Sequence, residues 1–333
     1  MAIDVFDIIT VDLLKNTMLA GIDLTLDDGS AYPDDLFEQS IAQAISMMQE
    51  ELEITINPFS TKKERHDLDS DQARGFYPNQ LDKRPLRSVD KLTISYGNYQ
   101  PVEIPQVWIN ITSPEGGSVH LIPTAESVGT FNFNNVIPLL LDPMAERAYY
   151  SRVPGYFSYD YTSGFNFIEK TITIPQNSTE ITGLTFGETL TDTPNFIFEI
   201  VDDGNGNNVG APVPKIKAFG LSDEGFSATT SITPAVADMI IKVKIHTMPS
   251  VLVKCILYIS AMLPLDTAGD LLLGAGIGQF SLAVDGLSQN IASTSSATSA
   301  GYGARILSYE RQLKMALASV KKKYKVPKIA GGF

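Results

Sequence analysis

Cysteine is nearly absent from this chain of 333 residues, with Cys255 standing alone. One thiol excludes an internal disulfide framework and a tetrahedral zinc site built on cysteines. It lies in the apolar run Val251-Leu-Val-Lys-Cys-Ile-Leu-Tyr-Ile259, where a small thiol is expected to be core rather than a nucleophile. Histidine is scarce as well. His66, His120 and His246 have no ligand-type spacing to one another, so neither a metal pair nor a catalytic triad is predicted. Lysine and arginine number 25 against 38 acids, a formal net charge of -13. Such a surface repels phosphate, which excludes broad nucleic-acid gripping outside a local basic patch. Long apolar runs are missing too: Lys254 interrupts the best one and Asp266 and Asp270 follow it, short of the roughly 18 residues a membrane span needs. The first residues carry acids and no basic segment, so no signal peptide is expected.

What remains is ample material for a core. Hydrophobic residues make up 44% of the chain, and its length suggests about two domains. A helix is predicted over 33–53, opened by Pro33 with Asp34 and Asp35 at the positive end of its dipole. Phe37, Ile41, Ala44, Ile45, Met48 and Leu52 recur at spacings of three and four, one buried stripe. A shorter helix is predicted over 11–19. The stretch 57–85, polar and broken by prolines, reads as an extended arm. Strands are then predicted from Val89 to Tyr96 and over 157–165. A hairpin is predicted from Trp108–Ile111 and Val119–Ile122 around the Pro-Glu-Gly-Gly turn at 114–117.

Residues 169–247 differ in kind. Short strands at 171–174, 181–186, 196–201, 215–219 and 239–245 alternate with turn clusters and show no helical period. They suggest a self-contained β-sandwich. Ten acids and five bases give this block a net charge of about -5. Helix returns after Pro249 and is expected to end near Pro264. A segment of small residues, 274–303, follows; it includes the low-complexity stretch 293–299 and is expected to be held by neighbouring structure. The last helix is predicted over 302–324, and from Arg305 to Lys328 there are eight basic residues and one acid. That basic end is the sharpest charge asymmetry in the chain. A solvated helix face, a docking tail for a partner ring and direct contact with DNA phosphate are its three readings.

Several motifs fall short of chemistry. Asp67-Leu-Asp-Ser-Asp71 opens like a calcium loop, but Gln72 replaces the needed glycine and Pro78 the needed glutamate, so a solvated acidic loop is expected. The acidic-glycine cluster 202–208 is read as a hairpin turn. Gly274-Ala-Gly-Ile-Gly278 lacks the Lys-Ser/Thr of a phosphate-binding loop. The sequence therefore predicts no catalytic residues, no metal and no cofactor. Taken by themselves, the residues describe an α+β protein with an inserted β-domain and a charged tail.

Certain stretches go further. Asp12-Leu-Leu-Lys-Asn-Thr-Met-Leu-Ala-Gly-Ile-Asp23 and Tyr32-Pro-Asp-Asp-Leu-Phe-Glu-Gln39 resemble the opening of the head-tail connector (neck adaptor) proteins of tailed bacteriophages. The segments 84–92, 108–111, 121–124 and Tyr161-Thr-Ser-Gly-Phe165 resemble that family's central strands, and 268–278, 281–288 and 294–306 its C-terminal half. The resemblance covers 10–165 and 249–325 loosely and does not extend to 169–247. It implies a discontinuous adaptor domain, 1–168 with 248–333, comprising a helical core and a small β-hairpin region. The block 169–247 would be an inserted immunoglobulin-like β-sandwich displayed outward.

The resemblance also implies a non-enzymatic virion protein at the head-tail junction. It would be one subunit of a homo-oligomeric ring, expected to be dodecameric, between the portal protein and a downstream neck or tail-terminator protein. Genomic DNA would pass through the lumen without specific binding, and no membrane is involved. Portal binding is expected from Arg305, Arg311, Lys314, Lys321, Lys322, Lys323, Tyr324 and Lys325. Contacts between subunits are expected from Gly274, Gly276, Gly278, Gly301, Tyr302 and Gly303, where close backbone approach is useful. The rival readings are a virion hydrolase using paired carboxylates, and a tail, baseplate or capsid-decoration protein that binds through the sandwich.

Overall fold

The computed structural model describes residues 3–25, 29–69, 79–95, 101–122, 152–176, 180–184, 195–202, 216–222, 225–230, 239–273, 279–284, 287–292 and 302–324. The chain is α+β, and every strand pairing among these residues is antiparallel. It divides into two compact units, one of residues 1–48 and 166–320, the other of 49–165 and 321–333.

In the first unit, α1 (Val11–Thr17) starts where the Thr10 hydroxyl accepts the Leu13 N–H at 3.2 Å, satisfying a donor that has no partner in the first turn. The predicted long helix is α2 (Asp34–Leu52), with Phe37, Ile41, Ala44, Ile45 and Met48 buried as its spacing requires. Lys15 holds Asp34 at 2.6 Å and lies 4.6 Å over the Phe37 ring.

The expected end at Pro264 does not occur. Helix α3 spans Ser250–Leu273 with Pro264 inside it. Proline has no N–H to give to the carbonyl four residues back, which normally costs about 3 kcal/mol or more. Here that carbonyl is Ser260 O, and the Ser40 hydroxyl of α2 donates to it at 2.6 Å. The vacant acceptor is filled from another helix, so α3 continues. Contrary to the expectation from sequence that no apolar run is long enough, its stretch Ser250–Gly269 is long and apolar enough to cross a membrane. Leu252, Cys255, Ile256, Leu257, Ala261 and Leu265 are nevertheless buried, as in a core helix. Cys255 is among them as expected, and burial pushes its thiol up to about 11.

The block 169–247 carries two three-stranded sheets. In one, β8 (Phe167–Ile174) and β10 (Asn195–Asp202) flank β13 (Met239–His246); in the other, β9 (Glu180–Leu184) and β11 (Ile216–Ser222) flank β12 (Gly225–Thr230). Strand β12 has no counterpart in the sequence reading. The division by contacts does not fall at 168/169 and 247/248 but groups these strands with the helices. The joints explain why. The Asn166 N–H reaches the Thr247 hydroxyl at 3.0 Å, Asn195 Nδ2 reaches Met248 O at 3.0 Å, and Lys244 Nζ reaches both Glu199 at 2.7 Å and Asp7 O at 3.2 Å. Within the segment expected to be a loop of small residues, β14 (Gln279–Val284) and β15 (Leu287–Ala292) pair as a hairpin. The Phe280, Leu282, Val284 alternation had been masked by the surrounding glycine and serine. Helix α4 (Gly303–Tyr324) closes the described chain.

The second unit overturns the expected arm. Its sheet runs β1 (Phe59–Asp69), β7 (Arg152–Ser163), β3 (Leu86–Ile94), β4 (Val102–Glu103). A second sheet joins β2 (Asn79–Gln80), β6 (Ser118–Leu121) and β5 (Ile109–Ser113), the last two forming the expected hairpin. Strand β1 has almost no hydrophobic alternation, because pairing with the aromatic β7 holds it rather than its own burial. A bulge between Thr61 and Glu64 puts Lys63 at φ 58 and hands its N–H to Asp160 at 2.7 Å. Asp67 and Asp69 therefore lie on a strand, not in a solvated loop, and Asp67 accepts the Gly155 N–H at 2.7 Å. Trp108, Tyr156, Phe157, Tyr159 and Tyr161 form the aromatic centre of the core. Gly164 (φ 99) comes so close to the 56–57 backbone that a Cβ would meet Asn57 O at 2.4 Å. No other residue type fits there.

Candidate interaction surfaces

In the first unit, Ile306, Tyr309 and Val320 bury one face of α4, and the Tyr258 hydroxyl of α3 donates to Gln312 Oε1 at 2.6 Å. Tyr258 and Tyr309 stack with centroids 5.4 Å apart. The opposite face carries Leu307, Arg311, Lys314, Met315 and Ala318, all exposed; Leu307 is 42% and Met315 64% exposed, large for apolar side chains. Spacings of three and four put these residues in one stripe.

The cations expected to bind a portal divide into three groups. Arg305 is turned inward: Nη2 donates to Met18 O at 2.8 Å and to Ala20 O at 3.2 Å, and Nε donates to Tyr309 Oη at 3.0 Å. It caps the carbonyls at the end of α1. Arg311 and Lys314 stand on the exposed stripe. In the second unit, Lys321 pairs with Glu51, Lys323 with Glu115 at 3.3 Å, and Lys322 is exposed. Tyr324 is 1% exposed, its ring edge-on to Phe165 at 6.1 Å, so it anchors the helix end from within. Lys325 lies outside the described residues. So do Gly274, Gly276, Gly278 and Gly301 of the expected subunit contact. Tyr302 is half-buried, its carbonyl accepting the Arg305 and Ile306 N–H groups, and Gly303 is buried.

A polar network in the second unit was missed in the sequence. Glu64 accepts from Tyr161 Oη at 2.5 Å and from the Asp82 N–H at 2.9 Å, and it pairs with His66 Nε2 at 2.7 Å. The Tyr161 hydroxyl also takes the Lys83 N–H at 3.0 Å, and the Tyr159 hydroxyl takes Asn79 Nδ2 at 2.7 Å. Burial pushes the Glu64 carboxyl up, but His66, Tyr161 and the Asp82 N–H together hold it below its ordinary value. Burial raises both phenols above the usual tyrosine range. Glu64 and His66 sit two apart on β1 and so share a face; reading 59–69 as a strand would have found them. The network contains no nucleophile poised beside a base, and it fastens the 79–83 segment to β1 and β7. Nearby, a cleft of about 360 Å³ is lined by Gln49, Glu53, Ile54, Thr55, Phe59, Asp82 and Lys83. Glu53 is committed there to Arg84 at 2.7 Å. Among the described residues no group of three or more His, Cys, Asp or Glu side chains is arranged to hold a metal ion.

No protein-family model matches this sequence, and no characterised protein matches it at a significant level.

Proposed function

We propose that this chain is a structural subunit of a phage neck: an adaptor that docks on a portal and assembles as a ring, with the 169–247 strands forming an outward immunoglobulin-like sandwich. The observation that carries the reading is the anchored basic end of α4. Three consecutive lysines, Lys321 to Lys323, terminate a helix in a chain of net charge -13. Buried Tyr324 and the pairs to Glu51 and Glu115 fix where that end sits on its unit. A fixed, locally basic exit supports docking on an acidic partner, because complementary charge selects the partner and speeds encounter. The acidic remainder supports a wall along which DNA moves without adhering.

The test is particle assembly. Particles made without this protein should fill with DNA and fail to hold tails; empty, unprocessed heads would reject the reading. In purified form, the full chain should co-sediment with portal-bearing particles, and Lys322→Glu together with Lys325→Glu should weaken that binding. Undiminished binding by the double variant would remove the basic end from the contact.

A further inference from the structure

We propose that the exposed stripe of α4 on one copy docks on the exposed face of α2 on the next, so that this one pairing, repeated, builds the assembly. The inference rests on the ring reading above and names its contact. Both faces belong to the first unit, and their charges are opposite. Over residues 34–48, α2 contains Asp34, Asp35 and Glu38 and no basic residue. Its exposed positions begin with Asp35 and Glu38 and continue through Gln39, Ala42, Gln43 and Ser46 to Met47, which is 57% exposed. The α4 stripe answers with Arg311 and Lys314 flanked by uncovered Leu307 and Met315.

The exposure of both stripes makes the pairing intermolecular. Helix α2 meets α3 at Ser260, through Ser40, and α4 meets it at Tyr258. Each helix turns one face inward in this way, and its other face stays exposed. Neither outward face covers the other within one chain, so a contact between them joins two copies. A contact between two different patches is heterologous; repeated, it closes a ring when the rotation permits and otherwise runs on as a filament. The α2 face is about 22 Å long and the α4 stripe about 18 Å at 1.5 Å per residue. That is too small for a tight isolated dimer, so assembly should depend on concentration and on closing the ring. Exposed charge pairs also require that it weaken with salt.

The experiment reads the assembly state of the full chain by mass photometry and sedimentation velocity, at low and at 0.5 M added salt (about a 4 Å screening length). Wild type should assemble at low salt. Arg311→Glu with Lys314→Glu should weaken association about tenfold or more, as should Asp35→Lys with Glu38→Lys, because each places like charges face to face. Mixing the two double variants should restore assembly, since each then offers the other a complementary face; that rescue also shows both are folded. Assembly of either variant alone at wild-type strength would overturn the pairing and leave the ring reading standing. The pairing is also overturned if α4 reversal spares self-assembly and abolishes co-sedimentation with portal-bearing particles, which would assign the stripe to the portal. A wild-type chain that stays monomeric at every concentration would overturn both readings.

Discussion

The second unit buries polar atoms and satisfies them in chains, with Asn79 on Tyr159, and Tyr161, His66 and the Asp82 N–H on Glu64. The first unit is aliphatic around α3, where a serine hydroxyl sits on the carbonyl that proline left vacant, and its other buried polar groups pair locally, Asn166 with Thr247 and Lys244 with Glu199. Their outer faces differ as well. Helices α2 and α4 of the first unit leave whole stripes uncovered. In the second unit the exposed large apolar side chains among the described residues are Phe59 and Val107. One unit is organised around its interior network, and the other around surfaces it does not itself cover.

The largest break in this comparison comes from the two cores. Phe157→Ala in the second unit should cost about 3–5 kcal/mol, and Ile256→Ala in the first about 2–5 kcal/mol. Trp108, the only tryptophan, lies in the second unit, so its fluorescence follows that unit while the far-ultraviolet helix signal follows mainly the first. Urea titrations should show each substitution moving chiefly its own signal; equal shifts in both would mean that the units unfold as one.

Next in size is the proline accommodation. Ser40→Ala should cost about 1–3 kcal/mol by leaving a buried carbonyl unsatisfied. In a Pro264→Ala background, where residue 264 supplies an N–H, the same change should be close to neutral. Additive effects in that double-mutant cycle would separate the two residues.

Tyr161→Phe should cost about 1–2 kcal/mol, read by the fluorescence transition. It removes one donor to Glu64 and the acceptor of the Lys83 N–H.

The smallest effect separates the units by pH. Burial, only partly offset by a hydrogen bond to the Met248 backbone, lowers His246 below its ordinary 6.5. Between that value and the lower folded one, the unfolded chain binds the extra proton. The first unit therefore keeps this contribution above pH 6.5 and loses it as pH falls. Glu64 is lowered below 4.5, so the second unit holds its contribution until more acid conditions. The helix signal should weaken first on acidification, and His246→Phe should flatten its slope as pH falls below 6.5. An unchanged slope would show that His246 does not set it.

Much of the helical part was legible. The α2 stripe is a local pattern, and its observed ends, Asp34 and Leu52, fall one residue inside the predicted ones. Cys255 was legible from its apolar neighbours. Strand β1 was not, because Lys62 to Asp67 show no alternation and the partner that fixes them is about a hundred residues away. The continuation of α3 was illegible for the same kind of reason: Pro264 signals a stop, and Ser40 overrides it from another helix. Of the basic set, charge alone could not tell inward Arg305 from outward Arg311, six residues on. Only the α1 carbonyls at Met18 and Ala20 make that distinction.

The hydrogen bond from Ser40 to the Ser260 carbonyl joins residues 220 positions apart, and this bears on how the chain emerges during synthesis. The ribosome releases α2 long before α3 exists. When residues 250–273 appear, the turn around Pro264 meets a helix already waiting to complete it. A circular permutant that delivered α3 first would have to hold that turn open, with its carbonyl bare, until α2 arrived.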